Sequence, residues 1–186
     1  MDRKPTDVLA EEHRIIEKVL KSVAILIKKL ESGNDVDLAE LKNITEFMTV
    51  FGDKCHQGKE ETELFPLLQM KETSIKECPL AILINEHDKL RMLVRNLSTA
   101  VISYEHKDIS ARKTLVTCFR GLLDVYSDHF WKEENVLFPM TNKILNDDEQ
   151  EYLEKRFAAV EKEIGADTHY RYKELADVIE EKTIEL

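Results

Sequence analysis

The stretch His56-Gln57-Gly58-Lys59-Glu60-Glu61-Thr62-Glu63-Leu64-Phe65-Pro66 returns as His129-Phe130-Trp131-Lys132-Glu133-Glu134-Asn135-Val136-Leu137-Phe138-Pro139. A looser copy precedes each: Glu12-His13-Arg14-Ile15-Ile16 and Glu86-His87-Asp88-Lys89-Leu90. The separations agree, with 73 residues from His56 to His129 and 74 from His13 to His87. The chain therefore reads as one unit used twice. Each copy carries a lone His on its first element and a His-x-x-x-Glu on its second. Pairing the copies about a pseudo-twofold axis would bring both sets into one core.

The elements are helical. Apolar residues recur at helical spacing through five segments. From about Thr6 to Leu30, one face carries His13, Ile16, Leu20, Ala24, Ile27 and Leu30. Gly33 suits its C-terminal end, and Asp35 or Asp37 suits the N-cap of the next helix. That second segment runs to about Leu64, aligns Leu41, Thr45, Met48, Gly52, His56 and Glu60, and has Pro66 near its end. An irregular stretch from Lys71 to Cys78 leads to Pro79, which suits a first helical turn. The third helix aligns Leu83, His87, Leu90, Val94, Leu97 and Val101, and the fourth aligns Leu115, Cys118, Leu122, Val125, His129 and Glu133, with Pro139 closing it. Asn146 opens a fifth helical stretch, about 147–182, interrupted near Gly165. The expected fold is all-α: an antiparallel up-down four-helix bundle of two hairpins (about 6–145) with a C-terminal helical arm, all in one domain, 1–186.

Composition agrees. Only 5 Gly and 4 Pro in 186 residues are too few for a fold that turns every ten residues. With 27 basic against 37 acidic residues the net charge is −10, which excludes a cationic nucleic-acid face. No apolar run approaches a membrane span and no apolar signal core follows Met1, so neither membrane insertion nor secretion is expected. Cys55, Cys78 and Cys118 form no CxxC pair, which suits a reducing cytoplasm.

A residue four positions along a helix is rotated by only about 40°, so His56 and Glu60 share a face, as do His129 and Glu133. That face is the apolar one. A core-facing Glu is costly unless it is paired or bound to a metal. Four imidazoles and two carboxylates converging on one interior suit two transition-metal ions. Zinc usually takes fewer ligands in tetrahedral sites, and calcium and magnesium prefer oxygen-only shells. Iron fits best; manganese or a mixed pair is the alternative.

The repeated His-x-x-Lys-Glu-Glu-x-x-Leu-Phe-Pro, with its Glu-His partner, resembles the hemerythrin-like family of HHE cation-binding domains over about residues 6–145. The resemblance implies a non-haem di-iron centre, oxo- or hydroxo-bridged, held by His13, His56, Glu60, His87, His129 and Glu133, with the two Glu bridging. Oxygen-carrying hemerythrins are a more distant match. They use five histidines, and their bridging aspartate follows its His by five positions. Glu61 and Glu134 sit at that offset here and are the runner-up carboxylates, but about 140° from the His on an α-helix they read rather as solvated helix-end charges. His169 is a possible fifth histidine if the C-terminal arm folds back over the bundle; otherwise it packs or caps at the surface. His106 lies in a polar link and reads as exposed. Cys55, Cys118 and Tyr126 read as core, and Phe65, Phe130, Trp131 and Phe138 as residues that seal the bundle end.

Such a centre leaves coordination positions open for a small ligand. The expected function is binding of dioxygen or a related small oxidant, in carriage, storage or sensing. Sensing normally needs an attached output domain, which lowers that option. The alternative is a di-iron enzyme or iron donor acting on nitric oxide or peroxide, or in iron–sulfur cluster repair, a group whose four-His, two-Glu ligand set is the closest analogue.

Overall fold

The computed structural model describes residues 3–71 and 80–184, and among these no strand is present. The expected irregular stretch and the helix start at Pro79 lie outside the described residues. Helix α1 is Pro5–Glu31. A second rod begins as α2, Leu38–Phe47, continues through wide π-helical turns at Met48–Gln57 and Glu60–Leu64, and ends as α3, Phe65–Gln69. Then come α4 (Leu80–Glu105), α5 (Ala111–Lys132), a π-helical turn at Glu133–Leu137, α6 (Phe138–Ile144), α7 (Asp147–Ile164) and α8 (Thr168–Ile184).

Local chemistry sets the ends. Gly33 takes φ 86°, the left-handed conformation that terminates α1 without a Cβ penalty. The Asp37 carboxylate accepts from the Ala39 amide, and Asn146 forms a reciprocal capping box with Glu149. Pro66 lies near the end of its rod, as expected, whereas Pro139 does not close its own: each is the second residue of a further helical piece that follows a π-helical turn. Proline lacks an N–H and crowds the carbonyl four residues back. A wider turn before it relieves both demands and lets the rod continue.

Helix α5 packs on α1 and α4, α2 packs on α4, and α8 lies against both α1 and α2. The C-terminal arm is therefore built into the bundle. Tyr172, Ala176 and Ile179 of α8 join the main core, and Leu153 and Phe157 of α7 join a second one. This explains why α1 is buried over more than one stripe. Glu12, Val19 and Leu26 are enclosed as fully as His13 and Ile16. Each fully buried aliphatic side chain contributes about 1.5–3 kcal/mol. No helix among the described residues is long and apolar enough to cross a membrane.

Phe130 belongs to the main core and Phe138 to the second, and the His13 ring stacks on both, at 3.9 and 5.5 Å between centroids. The histidine layer thus lies between two apolar cores. Cys55, Cys118 and Tyr126 are buried as expected, and His106 is exposed. Trp131 corrects its expectation: 62% exposed, it seals nothing. Trp131 is two residues beyond His129, so the helix turns it outward while Phe130 turns in. A Cβ on Gly52 would sit 2.9 Å from the Tyr126 hydroxyl, at the end of a rigid buried ring. Gly52→Ala is expected to destabilise the fold by about 1–3 kcal/mol, read from the midpoint of denaturant unfolding.

Candidate metal centre

His13 comes from α1, His56 and Glu60 from the π-helical part of the second rod, His87 from α4, His129 from the end of α5, and Glu133 from the π-helical turn after it. All six side chains are 0% exposed. They form two groups that share both carboxylates. One is His13, His56, Glu60 and Glu133; the other is Glu60, His87, His129 and Glu133; within each, the ligand atoms lie within 4.8 Å of one another. Glu133 places one oxygen 3.0 Å from His13 Nε2 and the other 3.0 Å from His129 Nε2. A Glu60 oxygen lies 3.3 Å from His87 Nε2 and 3.8 Å from His56 Nε2.

Few of these inner atoms are satisfied by hydrogen bonds. His13 Nε2, His56 Nε2 and both oxygens of Glu60 and of Glu133 are buried without a hydrogen-bond partner. Each such atom costs about 1–3 kcal/mol. Six of them pointing at one another is the donor arrangement that a pair of cations fits.

The outer ring nitrogens are all partnered. His13 Nδ1 faces Glu134 at 2.9 Å, His56 Nδ1 faces Glu12 at 3.1 Å, His87 Nδ1 faces Glu61 at 2.6 Å and His129 Nδ1 faces Glu86 at 3.1 Å. A carboxylate on Nδ1 holds the proton there and leaves Nε2 free to bind, which is how metal-ligating imidazoles are usually fixed. Glu61 and Glu134 are thereby corrected. They are not solvated helix-end charges but half-buried acceptors for the histidine of the neighbouring hairpin. Both lie in π-helical turns, where each residue advances by a smaller angle than on an α-helix, so the fifth position swings back toward the core. Arg91 and Arg14 brace them, at 2.6 Å to Glu61 and 2.9 Å to Glu134. Glu12 and Glu86 were missed as functional residues, although their place before His13 and His87 in both copies was a usable signal.

Electrostatics follow from this crowding. Burial opposes charging His13 and His129, but Glu133 beside both, with Glu134 and Glu86 behind them, outweighs it. Their values rise to about 9 and about 10. The same contacts hold Glu133 well below the carboxylate range despite its burial. Burial also pushes the Cys55 thiol up to about 12, leaving it an inert packing group.

His169 lies outside the six-group cluster. Its Nδ1 is 3.7 Å from Glu12 and 3.9 Å from Glu161, on the outer side of His56. Among the described residues, Glu12, Glu161 and His169 form a third group of potential ligands, but the buried Lys59 ammonium already bonds both carboxylates. That cluster is an ion-pair network whose cation position is filled by the chain itself.

Removing one outer partner is expected to weaken metal binding about 10–100-fold. Glu134→Ala tests this at His13, by chelator competition, and a wild-type affinity would show that the contact does not orient the ring.

The chain matches a family model described as Hemerythrin HHE cation binding domain over residues 4–141. It is 28% identical over 102 residues to the iron–sulfur cluster repair protein YtfE of Escherichia coli (strain K12 / DH10B), and equally to that of Shigella boydii serotype 18. Each match covers 53% of this chain and 46% of the relative, so about half of each relative's length is represented. No solved structure matches the chain. With its helical architecture, its buried His and Glu groups and a family match over most of its length, the chain belongs to the hemerythrin HHE cation-binding domain family.

Proposed function

We propose that residues 1–186 form a single hemerythrin-like domain, an up-down antiparallel four-helix bundle of two hairpins with a C-terminal arm. Within it, His13, His56, Glu60, His87, His129 and Glu133 hold two iron ions that bind dioxygen or a related small oxidant. The observation that carries this reading is the convergence of buried, unpartnered inner atoms of His13, His56, Glu60 and Glu133. Mixed imidazole and carboxylate donors with two shared carboxylates suit a pair of iron ions, or a manganese or mixed pair.

When bound, ferrous iron supplies electrons and open coordination positions to a small ligand. The chain's own residues do the rest. Glu134, Glu12, Glu61 and Glu86 fix the four rings with Nε2 inward. Phe130 and Phe138 cover His13, and Phe65 stacks on His87 at 5.8 Å, which keeps water from the layer. A pocket of about 150 Å³, lined by Met48, Thr49, Asp53, Arg91 and Tyr126, has room for a ligand of a few atoms; the six site residues do not line it, and it meets their layer only through Tyr126, whose ring is 6.4 Å from that of His129. Cys55 and Cys118 are free and buried, in keeping with a reducing cytoplasm.

A second reading is favoured by the relatives named for iron–sulfur cluster repair. In it, the same pair of ions is donated to a damaged cluster or acts on nitric oxide or peroxide. Visible spectra of the reduced, iron-loaded chain mixed with dioxygen, then peroxide, then nitric oxide separate the two. A visible band that forms with dioxygen and vanishes under vacuum supports reversible binding. Irreversible oxidation with loss of substrate, or transfer of iron to an apo-cluster acceptor, supports the second reading instead.

A further inference from the structure

The two halves of the duplicated site are dressed differently on the outside. Behind His56, the Glu12 carboxylate and the Lys59 ammonium are both 0% exposed, and Lys59 bonds Glu161 of α7 as well as Glu12. The Lys59 ammonium also lies 6.0 Å from the centre of the Phe157 ring, another α7 residue. At the matching place behind His129, Glu86 is 12% exposed and Lys132 is 24% exposed. Lys132 bonds Glu86 at 2.7 Å and the Asp128 carbonyl at 3.1 Å, with no arm carboxylate among the described residues in its shell. Helix α7 begins at Asp147, beyond residue 141 where the family match ends. The asymmetry is therefore imposed by a segment outside the matched region on a core that is otherwise duplicated.

We propose that the C-terminal arm makes the two metal positions unequal. Glu161 is a positioning residue: through Lys59 and Glu12 it fixes His56 and locks the position built from His13 and His56, leaving the His87–His129 position as the one that exchanges its ion first. The inference rests on the two-ion reading above. Its physical basis is rotational freedom. For His56 to turn off a metal, it must break its bond to a carboxylate that is itself pinned by a buried ammonium and a second carboxylate. For His129 to do so, it need only move a carboxylate and a lysine that water can solvate.

The test is anaerobic release of ferrous iron from the loaded full-length chain to an excess of a coloured ferrous chelator. Wild type is expected to release iron in two phases of equal amplitude. Glu161→Gln should speed the slow phase about 2- to 30-fold and leave the fast phase unchanged, and Glu161→Asp, which keeps the charge, should restore part of the difference. Asp177→Asn removes the contact between Asp177 and Lys18, a tie between the arm and α1 away from the relay, and should change neither phase. Equal release of both ions in a single phase overturns the proposal. So does an Asp177→Asn chain that accelerates the slow phase as much as Glu161→Gln, because the arm would then act as a loose cover. A chain that takes up no iron fails earlier, and it brings down the two-ion reading together with this one.

Discussion

Glu133→Gln is expected to abolish tight iron binding while leaving a folded helical protein. Glu133 is the one side chain with an oxygen at 3.0 Å from a histidine in each group, so on the proposed reading both metal positions would lose a charged ligand together. Outer partners of ligating histidines are worth about 10–100-fold in affinity, and an inner shared carboxylate should exceed that. Folding should survive because the amide keeps the shape of the acid and the two apolar cores above and below the layer are untouched. Circular dichroism checks the fold and chelator competition the affinity. Wild-type affinity in a folded variant would mean that the carboxylate is not a ligand.

Loading with ferrous iron is expected to raise the melting temperature by roughly 8–16 °C. An ion present at about a thousand times its dissociation constant stabilises the fold by about 4 kcal/mol, and for a domain of this size each kcal/mol is worth roughly 2–4 °C. The size of the gap should depend on pH in a definite direction. In the metal-free chain, His13 and His129 are raised from 6.5 to about 9 and about 10. A raised histidine contributes stability that is fully present below about 6.5 and is lost as pH climbs through the folded-state value. Metal-free stability should therefore fall, by an amount on the order of a few kcal/mol, between about pH 7 and pH 10. Iron replaces those protons, so loading releases them and tightens with pH. The melting difference between loaded and empty chains should widen over that range. A difference that is flat with pH would show that these two rings do not exchange a proton for a metal.

The helical class and the six buried groups were legible because duplication repeats the signal. A lone core histidine means little, whereas His13 and His87 at matching places before two His-x-x-x-Glu motifs mean a great deal. Three features were hidden for physical reasons. Spacing on a regular α-helix turned Glu61 and Glu134 outward, and only the π-helical turns, invisible to a 3.6-residue period, bring them back to His87 and His13. The same kind of wide turn lets the rod run on past Pro139, where proline alone reads as a stop. The third feature is the ion pairing of Lys59 with Glu161, which lie 102 residues apart, and no local pattern carries a pairing of that range.

Anomalous diffraction from crystals of the iron-loaded chain, recorded on both sides of the iron absorption edge, tests the central claim most directly. Two peaks are expected in the buried layer: one between His13 and His56, the other between His87 and His129, with Glu60 and Glu133 reaching both. A single peak, or anomalous density elsewhere with these six side chains bonded only to one another, would contradict it.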